Sequence, residues 1–197
     1  MSQPREIHPG VTYHVTHTTI GRQFLLTPDE VVNQVMSFCL FRAAEMCGVL
    51  VHSVMVESNH FHAVVTDVRG ELSRFMHWLD MMTAKNLIAH YEKLYPELYL
   101  AEIWSKDKYN AVVLANANAV IDAITYDLTN PVKDGLVPDY RDWPGLKSRP
   151  GDWMQPARTV TRPTGLAFSD KVKEHREVQV KYVVPPALRD RPLQLAI

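Results

Sequence analysis

The run VLVHSVMVESNHFHAVVT, residues 49–66, constrains the fold more than any other part of the chain. Its β-branched stretches, 49–56 and 61–66, read as strands, and the short polar break ESN lies between them. So short a break joins neighbouring antiparallel strands, which predicts a β-hairpin. Side chains alternate faces along a strand, so His60 and His62 share one face and Phe61 points the other way. Two imidazoles on one face can chelate a single divalent cation. An H-x-H pair is more often two half-exposed histidines that hold nothing, so the spacing alone leaves both readings open.

The hairpin sits inside a longer alternation. Residues 11–19, VTYHVTHTT, read as a first strand, and TPDE at 27–30 offers Thr27 as a helix N-cap with Glu30 at the capping-box position. That helix runs to about Cys47, and Gly48 ends it. A second long helix starts near Glu71, with Leu72, Phe75, Met76 and Leu79 as its apolar stripe, and stops before Pro96. A short fourth strand is expected at 110–114. Asn116 or Asn118 caps a third helix that should reach roughly Thr129, because Pro131 disfavours a helical conformation in the residue before it. Strand–helix–strand–strand–helix–strand is the order of a ferredoxin-like α+β sheet, here with an appended helix. The expected organisation is a domain over 1–150 and an extended, Pro- and Arg-containing tail over 151–197, with a strand near 177–184.

Composition narrows the class only a little. The 197 residues can bury a substantial core, and 46% apolar with 22% charged residues is ordinary for a globular protein. No apolar run is long enough to cross a bilayer, and MSQPREIHPG lacks the apolar core of a signal peptide, so a cytoplasmic protein away from membranes is the expectation. Cys39 and Cys47 show no metal-ligand spacing and are expected to be reduced thiols. A net charge of −1 does not itself point to nucleic acid.

A second group of reactive side chains lies in YDLTNPVKDG, residues 126–135. Tyr126 and Asn130 are four apart at the end of the third helix and so share a face. A phenol and an amide there offer a nucleophile and a neutral metal ligand. The commoner outcome for such a pair is a surface tyrosine and a helix-end asparagine.

Taken together and in order, NHFHAVVT, the helix beginning ELSRFM, Trp104 with basic residues after it, and YDLTNPVKDGLV resemble the single-tyrosine HUH transposases, in particular their REP-associated tyrosine transposase branch. VTYHVTH and DYRDWPGLKS are similar to that family's pattern as well, and the resemblance covers about residues 8–150. It implies a nuclease that cleaves and rejoins single-stranded or hairpin DNA, as a monomer or homodimer. By this resemblance His60, His62 and Asn130 hold Mg²⁺ or Mn²⁺, and Tyr126 is the nucleophile that forms a 5′-phosphotyrosine. A free phenol is only ~0.1% ionised at neutral pH, so such a nucleophile needs a nearby cation or base. A basic, aromatic-lined groove should bind the DNA, with Arg22, Trp104, Lys106, Lys108 and Lys133 as candidates. Trp104 is equally suited to the core. The alternative is a DNA-binding or regulatory protein of the same fold with little or no cleavage, which would shift DNA without trapping a covalent adduct.

Overall fold

The computed structural model describes residues 6–168 and 175–190. Four strands, β1 (Val11–Thr18), β2 (Val49–Val56), β3 (His60–Asp67) and β4 (Asn110–Val113), form one sheet in the order β2-β3-β1-β4. Every neighbouring pair is antiparallel, so β1 and β2 run parallel to each other on either side of β3. Helix α1 (Glu30–Cys47) connects β1 to β2, α2 (Leu72–Leu94) connects β3 to β4, and α3 (Ala117–Lys133) follows. This is the ferredoxin-like α+β fold with an appended helix.

The two faces of β3 separate core from site. Phe61, Ala63 and Val65 are buried on the face where α1 and α2 pack against each other. Phe61 meets the edge of Trp104, whose indole Nε1 donates to Asp80 O and Thr83 Oγ1 of α2, each at 3.0 Å. His60 and His62 lie on the opposite face, under α3.

Helix ends differ from the sequence expectation in instructive ways. Asp29, not Thr27, caps α1: its carboxylate accepts from Val32 N at 2.6 Å, while Thr27 Oγ1 turns back to donate to Phe24 O. A carboxylate at this position also favours the positive end of the helix dipole. The cap of α2 is remote from any local serine or threonine. The buried Asp67, at the end of β3, accepts from the backbone N–H groups of Arg69, Gly70, Glu71 and Leu72. At α3, Asn116 supplies the cap, accepting from Ala119 N at 3.0 Å. Its far end runs past Thr129 to Lys133 and keeps Pro131 inside it. Only one ladder bond is lost there, since Asp134 N still reaches Asn130 O at 2.9 Å.

The chain after α3 is tied to the edge of β2. Val56 N donates to Leu146 O and Ser148 N to Val54 O, while the indoles of Trp143 and Trp153 donate to Val56 O and His52 O. Gly145 is required at this crossing: a Cβ would stand 2.6 Å from Val56 O. Beyond it, β5 (Arg158–Thr161) and β6 (Glu177–Val180) pair as a hairpin over α1. The strand expected over 177–184 thus occupies 177–180, and parts of the expected tail, 169–174 and 191–197, lie outside the described residues. Cys39 and Cys47 are both free and buried.

Candidate active site

Strand register brings the site together. Pairing of β1 with β3 sets Thr16 opposite His62 and Thr18 opposite His60, so His14 and Thr16 join the histidine face. The buried side of α3, Val120, Ala123, Ile124, Asp127, Leu128 and Asn130, recurs at helical spacing and docks on this face.

Each histidine has a partner at Nδ1. His60 Nδ1 donates to Asn59 Oδ1 at 2.7 Å, and His62 Nδ1 lies 3.0 Å from Thr16 Oγ1. Their Nε2 atoms both face one atom, the Asn130 amide nitrogen. Asn130 Nδ2 stands 3.3 Å from His60 Nε2 and 3.2 Å from His62 Nε2. Burial lowers the proton affinity of both rings, that of His62 to about 3 with the nearby His60 and His14 adding to the effect. Two neutral imidazoles with converging lone pairs and outer hydrogen bonds that fix their orientation fit a divalent cation. Rotating the Asn130 amide by half a turn presents Oδ1 to the same point.

Two buried carboxylates flank the pair. Asp127, 1% exposed, accepts from His14 Nε2 at 2.8 Å and lies 3.6 Å from His62 Nδ1. Its Oδ2 has no hydrogen-bond partner among the described residues, and burial raises its proton affinity. Glu57, 2% exposed, has Oε1 3.7 Å from His60 Nε2. Burial lifts its pKa to about 7, Asp134 and Asp127 push the same way, and a hydrogen bond with Asn130 opposes them. Sequence reasoning missed His14, Thr16 and Asp127. The first two were visible as alternate positions of VTYHVTH, but their placement depends on strand register.

Tyr126 stands at the rim, about half exposed. Its ring meets the edges of His62 and His14, at centroid distances of 5.6 and 6.4 Å. The Lys133 ammonium is 4.7 Å from the ring centroid.

The remaining DNA-binding candidates divide. Arg22 is exposed, has a left-handed φ of +54°, and its charge lowers the proton affinity of His60. Asn59 Nδ2 donates to its carbonyl, which ties that turn to the histidine motif. Lys106 and Lys108 are exposed on the loop that joins the end of β1, where Ser105 N donates to Thr18 O. Trp104 is not a platform for bases. It is 8% exposed, and one face is stacked on His17 at 5.0 Å.

The model of the IS200-like transposases matches residues 8–125. The chain belongs to that family. The match spans the histidine motif and the first half of α3, and it stops one residue before Tyr126. No curated protein matches the chain. Among solved structures, a REP-associated tyrosine transposase bound to a REP hairpin is similar at 19% identity and a TM-score of 0.61, covering 77% of this chain and 84% of that one. This likeness agrees with the fold described above. A putative transposase from Deinococcus radiodurans R1 has 17% identity and a TM-score of 0.44, covering 66% of this chain and 97% of its own. The tRNA(His) guanylyltransferase of Saccharomyces cerevisiae has 13% identity and a TM-score of 0.45, covering 69% and 71%. Among the described residues of this transposase-family chain, no helix is long and apolar enough to cross a membrane.

Proposed function

We propose that the protein cleaves and rejoins single-stranded or hairpin DNA through Tyr126, with Mg²⁺ or Mn²⁺ held by His60, His62 and Asn130. The supporting observation is the convergence of both Nε2 atoms on the Asn130 side chain, one helical turn from the phenol. Hairpin DNA is the first substrate to test, because the similar REP-associated transposase structure holds a REP hairpin.

In the reaction, Tyr126 Oη attacks the scissile phosphorus and its proton passes to solvent. The new O–P bond replaces the P–O3′ bond, giving a 5′-phosphotyrosine and a 3′-oxygen that takes up a proton as a hydroxyl. Attack of a 3′-hydroxyl on the phosphotyrosine reverses these changes and releases the phenol, so the bond energy is kept through both steps. The cation, when bound, polarises the phosphate and offsets charge that builds on the five-coordinate phosphorus. Lys133 places a positive charge beside the Tyr126 ring. Arg22, Lys106 and Lys108 supply exposed charge for the DNA backbone, which the near-neutral chain as a whole does not.

The test uses 5′- and 3′-labelled hairpin oligonucleotides with Mn²⁺, resolved on a denaturing protein gel. A slow-migrating covalent band in the wild type and none in Tyr126→Phe is the expected result. Cleavage undiminished in Tyr126→Phe would overturn the mechanism, and DNA binding without an adduct would favour a regulatory binder.

A further inference from the structure

We infer that Glu57 is a fourth, anionic ligand of the cation, completing a His60–His62–Asn130–Glu57 set. The inference rests on the metal-dependent reading above and adds to it a charged ligand from outside the histidine motif and α3.

Glu57 directly follows β2, and its backbone N–H donates to His60 O at 2.9 Å, which closes the hairpin turn and fixes where its side chain starts. The carboxylate is turned inward, not toward the solvent that a turn normally offers a glutamate. No Lys or Arg pairs with it among the ion pairs of the described residues, and Oε1 has no hydrogen-bond partner there. A buried carboxylate without a cation is costly unless something positive reaches it.

The distances match a shared ion. One ligand atom each from Glu57, His60 and His62 lies within 4.8 Å of the others. Ligand atoms about 2.1 Å from one ion stand roughly 3 Å apart when adjacent and about 4 Å apart when opposite. The Asn130 amide nitrogen stands 3.3 and 3.2 Å from the two Nε2 atoms, so an N–H₂ group with partial positive charge lies where the donor set converges.

The chemical consequence is a change in the ion's charge and preference. Two imidazoles and an amide leave a dication uncompensated, whereas a carboxylate halves its net charge and adds a hard oxygen donor of the kind that Mg²⁺ and Mn²⁺ favour. Binding becomes tighter and the bound ion a milder Lewis acid.

The experiment measures Mn²⁺ binding to the full chain without DNA, by calorimetry and by the loss of free Mn²⁺ signal in electron paramagnetic resonance. Wild type, Glu57→Gln and His62→Ala are compared, with thermal melts of each with and without Mn²⁺. Glu57→Gln should weaken Mn²⁺ binding by on the order of tenfold or more. Its metal-free Tm should equal or exceed that of the wild type, since a buried charge is removed, while its Mn²⁺-induced rise in Tm shrinks. Equal Mn²⁺ affinity in wild type and Glu57→Gln, with His62→Ala impaired, would overturn the role of Glu57 and leave the histidine site standing. A metal-free Tm well below wild type with unchanged affinity would mark Glu57 as a structural residue. A wild type that takes up no Mn²⁺ would defeat the metal-dependent reading itself.

Discussion

The Lys133 ammonium lies 4.7 Å from the centroid of the Tyr126 ring, seven residues along the same helix. Two helical turns put both side chains on one flank of α3, and the contact places positive charge beside the proposed nucleophile. At a half-exposed site such a contact is worth roughly 0.5–1 kcal/mol. Lys133→Ala should therefore slow adduct formation by about two- to fivefold at saturating DNA, as single-turnover gels would show. An unchanged rate would remove the lysine from the chemistry.

Asp127 touches the site through the histidines. Its Oδ1 accepts from His14 and lies close to His62 Nδ1, and removing such an outer carboxylate typically weakens metal binding 10- to 100-fold. Asp127→Asn should weaken Mn²⁺ binding within that range while DNA binding in the absence of metal is kept. A loss of helicity in the circular dichroism spectrum would instead identify a fault in α3.

The cap of α1 can be tested by two adjacent substitutions. Asp29→Ala removes both the 2.6 Å bond from Val32 N and the 3.0 Å partner of His90, and should cost about 1–2 kcal/mol in urea unfolding. Thr27→Ala, at the position favoured by the sequence pattern, should change stability by less than about 0.5 kcal/mol. A larger loss for Thr27 than for Asp29 would contradict the observed cap.

Stability should also depend on pH through His52. This histidine is fully buried at the irregular register between Val51 and Ser53, and it bonds Val183 O at 2.8 Å and Thr66 Oγ1 at 2.7 Å. Burial lowers its pKa to about 4, the Val183 bond opposes this, and Arg189 adds to the lowering. The unfolded chain binds a proton below about pH 6.5 and the folded one only near 4, so stability falls as pH drops between those values. The loss approaches about 3 kcal/mol at the low end. Urea titrations at pH 8, 6.5, 5 and 4 would show the slope, and His52→Gln should reduce it, leaving the part that His62 and His60 contribute by the same route.

The sequence made the sheet and the shared face of His60 and His62 legible because both depend on a period of two that is local to one strand. Asn130 was legible through its spacing from Tyr126. What the sequence left hidden depends on register or on distant partners. Asp67 caps α2 from the end of β3, while Glu71 at the N-cap position makes no side-chain cap bond to announce it. His14 joins the site only because β1 pairs with β3 in one register. Trp104 reads equally as platform or core until the indole finds Asp80 and Thr83 on α2. Pro131 pointed to a helix end near Thr129, whereas the helix keeps its last turn and carries Asn130 within it.

That last turn has a consequence for control. Tyr126, Asp127 and Asn130 ride on a single rigid rod whose apolar side is seated on the sheet. Lifting or sliding the rod displaces the proposed attacking oxygen, amide ligand and supporting carboxylate in the same stroke, so the centre is assembled or dismantled as a unit. On the proposed reading, ion affinity should therefore report how fully the rod is seated, with no half-armed state in which a well-held ion waits for an absent tyrosine.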